Sequence, residues 1–83
     1  MDYVVELKPR AVKDLRKVDT LQATSIADAL ERLQTDLFGD VKKLTNANPE
    51  YRLRVGSYRV LFEIEGTDRI VVYRIVHRRE AYR

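Results

Sequence analysis

A two-residue break in the last third of the chain, Gly56-Ser57, constrains the fold more than any other feature of the sequence. It separates two short segments in which apolar and polar residues largely alternate, 51–55 (YRLRV) and 58–62 (YRVLF). Alternation of this kind is typical of a β-strand with one buried face, and a two-residue connection that contains glycine is typical of a tight hairpin. The sequence therefore predicts an antiparallel hairpin that turns at Gly56 and Ser57.

The predicted register places three arginines on one face of this hairpin. Across a two-residue turn Arg54 lies opposite Arg59, and Arg52 lies diagonally from Arg59. The intervening apolar residues would face the core, so we expect the arginine face to be open to solvent. Like charges in this arrangement oppose stability and indicate a polyanionic ligand; ordinary polar residues on a solvated sheet face are the alternative interpretation. Glu63 and Glu65, farther along the same face, are expected to neutralise part of the charge.

The first half of the chain predicts a strand followed by two helices. Residues 3–7 are mostly apolar and read as an opening strand. Pro9 suits the first turn of a short amphipathic helix. Asp19 and Thr20 are both suitable N-caps for a second, longer helix, and we expect Gly39 to end it.

The second half predicts a three-stranded meander. Residues 40–50 read as a loop, and strands follow at roughly 50–55, 58–65 and 69–77. Short connections make these neighbours antiparallel. The predicted fold is thus α+β, a strand and two helices followed by a three-stranded antiparallel meander, with the helical hairpin packed on one face of the sheet, in a single domain that spans 1–83.

Composition excludes several classes of protein. There are no cysteines, so disulfides and thiolate metal sites are ruled out, and we expect neither a cofactor nor a metal. The acidic N-terminus and the lack of a long apolar run predict no signal peptide and no membrane partner, hence a cytoplasmic location. Residues 1–50 carry eight Lys and Arg against nine acids, whereas residues 51–83 carry eight arginines against four acids. This excess of arginine in the second half favours a phosphate-bearing partner.

The end of the chain carries three further candidate site residues. His77 is the single histidine and the one side-chain type that readily exchanges a proton near neutral pH. Arg78 follows it with opposite strand parity, so at most one of the two is on the arginine face of a regular strand. Tyr82 is either a platform on which a nucleobase stacks or a residue folded back onto the edge of the core.

Two stretches of this chain resemble a known family. Residues 51–62 (YRLRVGSYRVLF) and 75–83 (IVHRREAYR) are similar to the hairpin and the terminal segment of the RelE family, within the RelE/ParE superfamily of small bacterial toxins. The order of the predicted elements and the length match as well, so the resemblance covers the whole chain. It implies a toxin that cuts messenger RNA in the ribosomal A site by attack of a ribose 2′-hydroxyl on the adjacent phosphate. It also implies a cognate antitoxin, the ribosome and messenger RNA as partners, and a toxin–antitoxin complex that binds operator DNA through the antitoxin.

The resemblance also implies roles for individual residues. By motif position Arg52 and Arg54 fall where the family has basic hairpin residues, and Arg59 falls where it has a phosphate-binding arginine. Arg78 falls where it has an arginine at the end of the last strand, and Tyr82 where it has a stacking tyrosine. On this basis we expect Arg59 and Arg52 to bind the scissile phosphate, Arg78 to aid the leaving oxygen and Tyr82 to orient the base. Arg54 stands where the best-studied type has lysine, and arginine is a poor general base because its guanidinium group stays protonated in proteins.

The general base and the activity both have alternatives. Either His77 accepts the proton, or Arg54 only polarises the site and the ribosome supplies the rest. The alternative activities are inhibition of DNA gyrase in the manner of ParE toxins, and a non-catalytic corepressor bound to the antitoxin.

Overall fold

A computed structural model describes residues 2–37 and 39–81. Within these residues the elements follow one another in the order β1 (Val4–Leu7), α1 (Pro9–Arg16), α2 (Thr20–Asp36), β2 (Val41–Lys43), β3 (Tyr51–Val55), β4 (Tyr58–Glu65), β5 (Arg69–His77) and α3 (Arg78–Ala81). None of the helices in this part of the chain has the length and the apolar character needed to cross a bilayer.

The strands form one five-stranded sheet in the order β1-β5-β4-β3-β2. β3, β4 and β5 are the antiparallel meander that the sequence predicts. β1 extends the sheet by pairing in parallel with the first half of β5, so that Val4 to Leu7 lie beside residues 69–72. The α+β prediction is confirmed. The meander is extended by one strand at each edge, β1 beside β5 and β2 beside β3.

Both long helices begin where the sequence predicts, but α2 ends differently. Pro9 is the first residue of α1, and the Asp19 carboxylate caps α2 by accepting a hydrogen bond from the Gln22 N–H (3.1 Å). The left-handed residue after α2 is Leu37, with a φ of 54°, so the prediction that Gly39 ends this helix was wrong. Gly39 lies two residues farther on with a φ of 139°.

The segment predicted as a loop contains a short strand, β2. It pairs antiparallel with β3, placing Val41 opposite Leu53. Gly39 permits this close approach, since a Cβ atom there would lie 2.9 Å from Leu53 Cδ1. Immediately before β2, the Asp40 carbonyl oxygen accepts a hydrogen bond from the Arg54 N–H (3.0 Å). β2 has only three residues and two of them are exposed lysines, which is why its sequence reads as a loop.

The hydrophobic core lies between the helices and one face of the sheet, as predicted. Its buried members are Ala11, Ile26, Leu30, Leu33, Leu53, Val60, Phe62, Ile70, Val72 and Ile75. Val71 and Val76 are also buried, although they lie outside this cluster. They pair with Glu63 and Arg59, which places them on the opposite face. That second face is therefore partly enclosed as well.

Candidate active site

The hairpin between β3 and β4 has the register that the sequence predicts. Gly56 occupies the two-residue turn with a φ of 56°, and Arg54 lies opposite Arg59. Opposite residues of an antiparallel pair share a face, and Arg52 shares it because side chains alternate along a strand. Arg52, Arg54 and Arg59 therefore form one group, here termed the arginine patch.

The arginine patch is less open than predicted. Only 9% of Arg52 and 7% of Arg59 is exposed, whereas Arg54 is solvent-accessible. Arg59 folds back over the turn, where its Nη1 donates hydrogen bonds to the carbonyl oxygens of Gly56 (3.0 Å) and Tyr58 (2.9 Å). Arg52 lies on a strand with a neighbour on each side, because β2 pairs with the outer edge of β3. The expectation of a solvent-open face was wrong because it treated β3 as an edge strand.

Each of the two buried arginines has a hydrogen-bond donor without an acceptor. The Nε atoms of Arg52 and Arg59 are both buried and have no hydrogen-bond partner within the described residues. A buried donor without an acceptor costs about 1–3 kcal/mol, and more when it is charged. Phosphate oxygens are acceptors whose geometry matches a guanidinium group. An anion at the patch would offset the charge of these two groups, but it would have to contact atoms other than the buried Nε.

The acidic neighbour of the arginine patch is Asp40. Its Oδ1 lies 3.8 Å from Arg52 Nη1 and its Oδ2 lies 4.0 Å from Arg54 Nε. The predicted neutralisers point elsewhere. Glu63 accepts a hydrogen bond from the backbone N–H of Glu50. Glu65, at the far end of β4, binds Arg69 and Tyr73 instead. Asp40 was missed because nothing in the sequence indicated that the residue before β2 lies beside β3.

His77 lies on the face opposite the arginine patch. It pairs with Tyr58, whereas the preceding residue Val76 pairs with Arg59. The imidazole meets the Tyr58 ring edge-on, with 5.5 Å between the ring centroids. Its Nδ1 accepts a hydrogen bond from the Arg79 N–H (3.3 Å). The sheet thus separates this histidine from the guanidinium groups. Because side chains alternate along β5, His77 is not part of the arginine patch.

Arg78 lies beside the hairpin turn, but not on a strand. It is the first residue of α3 and is exposed, and its N–H donates to the Ser57 carbonyl oxygen (2.8 Å). This hydrogen bond fastens the start of α3 to the turn that precedes Arg59. The strand ends at His77, in agreement with the predicted range 69–77, so Arg78 is not itself a strand residue. Tyr82 lies outside the described residues.

Asp14 is a structural residue that sequence reasoning missed. Its Oδ2 accepts hydrogen bonds from Arg74 Nε (2.7 Å) and from the Ile75 N–H (3.0 Å), and its Oδ1 accepts one from Arg74 Nη2 (3.3 Å). Burial alone would raise the pKa of Asp14, but these hydrogen bonds and the charges of Arg74 and Arg10 outweigh it and hold the pKa below its usual range. The carboxylate joins α1 to the second half of β5, the half that has no β1 neighbour.

Comparison with known proteins identifies the family. The model of the ParE toxin of the type II toxin–antitoxin system parDE matches residues 5–82. The chain belongs to the RelE/ParE superfamily of type II toxins. Two curated relatives, both from Methanocaldococcus jannaschii, agree. The putative toxin RelE1 is 32% identical over 96% of this chain and 93% of its own length. The toxin RelE3 is 37% identical over 86% and 85%.

Solved structures of toxins share the fold. The RelB–RelE antitoxin–toxin complex from Methanococcus jannaschii contains a chain that matches with a TM-score of 0.76 and 32% identity, covering 92% of this chain and 93% of that one. The match spans nearly all of both chains, so the two share the fold described above. The predicted resemblance to RelE-type toxins is confirmed.

The geometry of this toxin suits the binding of a phosphodiester. Arg59 is held by two carbonyl oxygens, so its guanidinium is already ordered before an anion arrives, and burial restricts the side chain of Arg52. Preorganised cations stabilise developing negative charge more strongly than mobile ones. The patch itself contains no residue suited to accept a proton, because arginine stays protonated. It can bind and polarise a phosphate, and it needs an external proton acceptor.

Proposed function

We propose that this toxin is a ribosome-dependent endoribonuclease that cleaves messenger RNA in the ribosomal A site. The observation that carries the proposal is the arginine patch, in which Arg52 and Arg59 are buried and each has an Nε–H without an acceptor within the described residues. Cleavage of a phosphodiester concentrates negative charge on the phosphate, and fixed guanidinium groups stabilise that charge. The names of the RelE relatives support the same class of activity.

In the proposed reaction the ribose 2′-oxygen forms a bond to phosphorus and the bond from phosphorus to the 5′-oxygen breaks. The products are a 2′,3′-cyclic phosphate and a 5′-hydroxyl. Arg52 and Arg59 bind the scissile phosphate, and the exposed Arg54 polarises it from the same face. Arg78 stabilises the leaving 5′-oxygen, since the start of α3 is fastened beside the turn. Tyr82 stacks on a base and orients it.

The proton of the 2′-hydroxyl passes to a basic group of the ribosome, and the leaving 5′-oxygen takes up a proton from solvent water to become the 5′-hydroxyl. His77 lies on the opposite face of the sheet from the patch, and Arg54 is too weak a base. We therefore expect His77→Gln to retain activity and to leave the pH dependence of the cleavage rate between about pH 5 and pH 8 unchanged. A rate that falls with the protonation of one group in this range, and that loses this dependence in His77→Gln, would restore His77 as the base.

The proposed partners are a cognate antitoxin, the ribosome and messenger RNA. The relative from Methanococcus jannaschii was solved as a complex with an antitoxin, which supports an antitoxin here. We further propose that the toxin–antitoxin complex binds operator DNA through the antitoxin, and that the toxin acts in the cytoplasm, where the ribosomes are.

Primer extension after induction of the toxin in cells tests this proposal. Cuts phased with codons support it, and purified toxin with programmed ribosomes should give the same cuts. Arg59→Ala should abolish cutting, because the phosphate loses a fixed cation. The matched control Arg69→Ala removes an exposed arginine at the far end of the sheet and should leave cutting intact. Circular dichroism checks that both variants fold.

Two other outcomes would assign a different function. Intact transcripts together with DNA damage and loss of supercoiling would identify a gyrase inhibitor, the alternative that the ParE family model raises. Intact transcripts with no effect on growth would indicate a non-catalytic, antitoxin-bound corepressor. Full toxicity of Arg59→Ala would show that the arginine patch is not the active site.

A further inference from the structure

We propose that the Asp40 carboxylate is a counter-ion of the arginine patch. An RNA phosphate that binds the patch must displace this carboxylate from Arg52 and Arg54. The inference deepens the proposed function and rests on it for the identity of the anion as RNA. It assigns Asp40 a regulatory role, in which its carboxylate competes with every anion that approaches the patch.

The position of Asp40 is fixed through its backbone, while its side chain is free to turn. Its carbonyl oxygen accepts a hydrogen bond from the Arg54 N–H (3.0 Å), which holds the residue beside β3. Its carboxylate oxygens lie 3.8 Å from Arg52 Nη1 and 4.0 Å from Arg54 Nε. Charged hydrogen bonds are normally about 2.7–2.9 Å long, so these contacts act through charge alone. With 57% of the side chain exposed, the carboxylate can rotate into solvent without breaking the backbone contact.

The carboxylate and an incoming phosphate need the same space and the same partners. The side chain of Arg52 is only 10% exposed, and Asp40 is the acid that forms an ion pair with it within the described residues. A phosphate that approaches Arg52 therefore meets a like charge at the entrance. A single weakly held anion cannot displace the carboxylate as readily as a chain that makes further contacts. Asp40 thus lowers affinity for small anions and favours a polyanion such as RNA.

A binding assay with two variants of equal net charge tests the inference. Asp40→Asn removes the competing charge with little change in shape, and Asp68→Asn removes the same charge from the turn at the opposite end of β4. The probe is a short, fluorescently labelled single-stranded RNA in which every ribose is 2′-O-methylated, so that it cannot be cleaved. We expect Asp40→Asn to bind it about threefold to tenfold more tightly than the unaltered toxin, and Asp68→Asn to change the affinity by less than about twofold. Equal affinities of the two variants would overturn the inference.

Thermal unfolding separates competition from a purely structural role of Asp40. Without phosphate, Asp40→Asn should unfold at a lower temperature than the unaltered toxin, since Arg52 loses its counter-ion. Inorganic phosphate should raise the unfolding temperature of Asp40→Asn more than that of the unaltered toxin, because binding to the native state stabilises it. A loss of stability that phosphate does not reverse would show that Asp40 only supports the local fold.

A measurement on the unaltered toxin covers the case in which Asp40→Asn does not fold. In NMR spectra the Nε–H signals of Arg52 and Arg54, the two partners of Asp40, should shift together when the 2′-O-methylated RNA is added, while that of Arg69 stays in place. Shifts confined to arginines outside the patch would refute the inference. Failure of the Asp40 inference can be distinguished from failure of the proposed function. Tighter RNA binding by Asp40→Asn without any cleavage on ribosomes would leave the inference standing and refute the nuclease.

Discussion

The contact between Asp14 and the second half of β5 provides the strongest test of how this fold is held together. Asp14→Asn keeps the size of the side chain but removes its charge. The amide NH₂ group of the asparagine would also face one of the three N–H groups that now donate hydrogen bonds to the carboxylate. The carboxylate accepts from Arg74 Nε at 2.7 Å, from the Ile75 N–H at 3.0 Å and from Arg74 Nη2 at 3.3 Å. It is only 10% exposed, so water cannot fully replace these contacts.

The expected loss of stability follows from these contacts. A hydrogen bond to a charged group contributes about 1.5–3 kcal/mol. The three bonds share one carboxylate and are not additive, and the third is long. The Arg74 side chain is 34% exposed, which weakens its share through screening. We therefore expect Asp14→Asn to lower the free energy of unfolding by about 2–3 kcal/mol, which corresponds to roughly 10–20 °C in the unfolding temperature of a domain this small.

The pH dependence of this loss gives a second, independent measurement. The pKa of Asp14 in the folded toxin lies below the value of 3.8 that it has when unfolded, since hydrogen bonds and the Arg74 charge outweigh the effect of burial. The unfolded chain therefore binds this proton first as the pH falls. The stabilisation is complete above about pH 5, declines as the pH falls below 3.8, and is gone below the folded-state pKa.

Urea unfolding between pH 2 and pH 7 measures both effects. The difference in unfolding free energy between the unaltered toxin and Asp14→Asn should be constant near neutrality and shrink in acid. Asp68→Asn, which removes an exposed carboxylate from the turn between β4 and β5, serves as the control and should change stability by less than about 0.5 kcal/mol. A loss in Asp14→Asn that is equally small, or one that does not shrink in acid, would refute the reasoning.

Three further substitutions, one of them with a matched control, test the packing and the patch. Gly39→Ala should destabilise the toxin by about 2–3 kcal/mol in urea unfolding, because its φ is 139° and the new Cβ would lie 2.9 Å from Leu53 Cδ1. Ile26→Ala should lower the free energy of unfolding by about 3–4 kcal/mol, since this side chain is fully buried. The control Leu21→Ala, on the same helix, should lower it by less than about 0.5 kcal/mol because Leu21 is 82% exposed. Equal losses in the two variants would contradict the assigned core. Arg52→Met should leave stability within about 1 kcal/mol of the unaltered toxin or raise it, while RNA binding falls by about tenfold or more in the fluorescence assay.

Local patterns predict most of this fold because local chemistry determines it. Asp19 caps the first turn of α2, and Pro9 is the first residue of α1, so both helix starts can be predicted from a few neighbouring residues. Alternation and Gly56 determine the hairpin register, and with it the pairing of Arg54 with Arg59. The helix end was less legible, because Leu37 adopts a left-handed conformation that leucine rarely takes.

The features that were not predictable depend on contacts between distant residues. Asp14 and Arg74 are sixty residues apart, and nothing near either one indicates the other. β2 pairs through its backbone, so its two lysines carry no apolar pattern that would reveal it. The burial of Arg52 follows from that pairing, which is why the arginine patch could be located from the sequence while its exposure and its neighbour Asp40 could not.

The energetics of the arginine patch connect its structure to its proposed use. Arg52 and Arg59 are the buried charged residues of the described chain, and the Nε of each is without an acceptor there. A domain of this size has a net stability of only about 5–10 kcal/mol, so two such donors oppose folding by an appreciable fraction of it. The hydrogen bonds of Arg59 to the hairpin turn give that residue a structural role, whereas folding gives no comparable reason for Arg52 and anion binding does. If Arg52→Met is clearly less stable than the unaltered toxin, the arginine serves the fold, and the nuclease loses the observation that carries it.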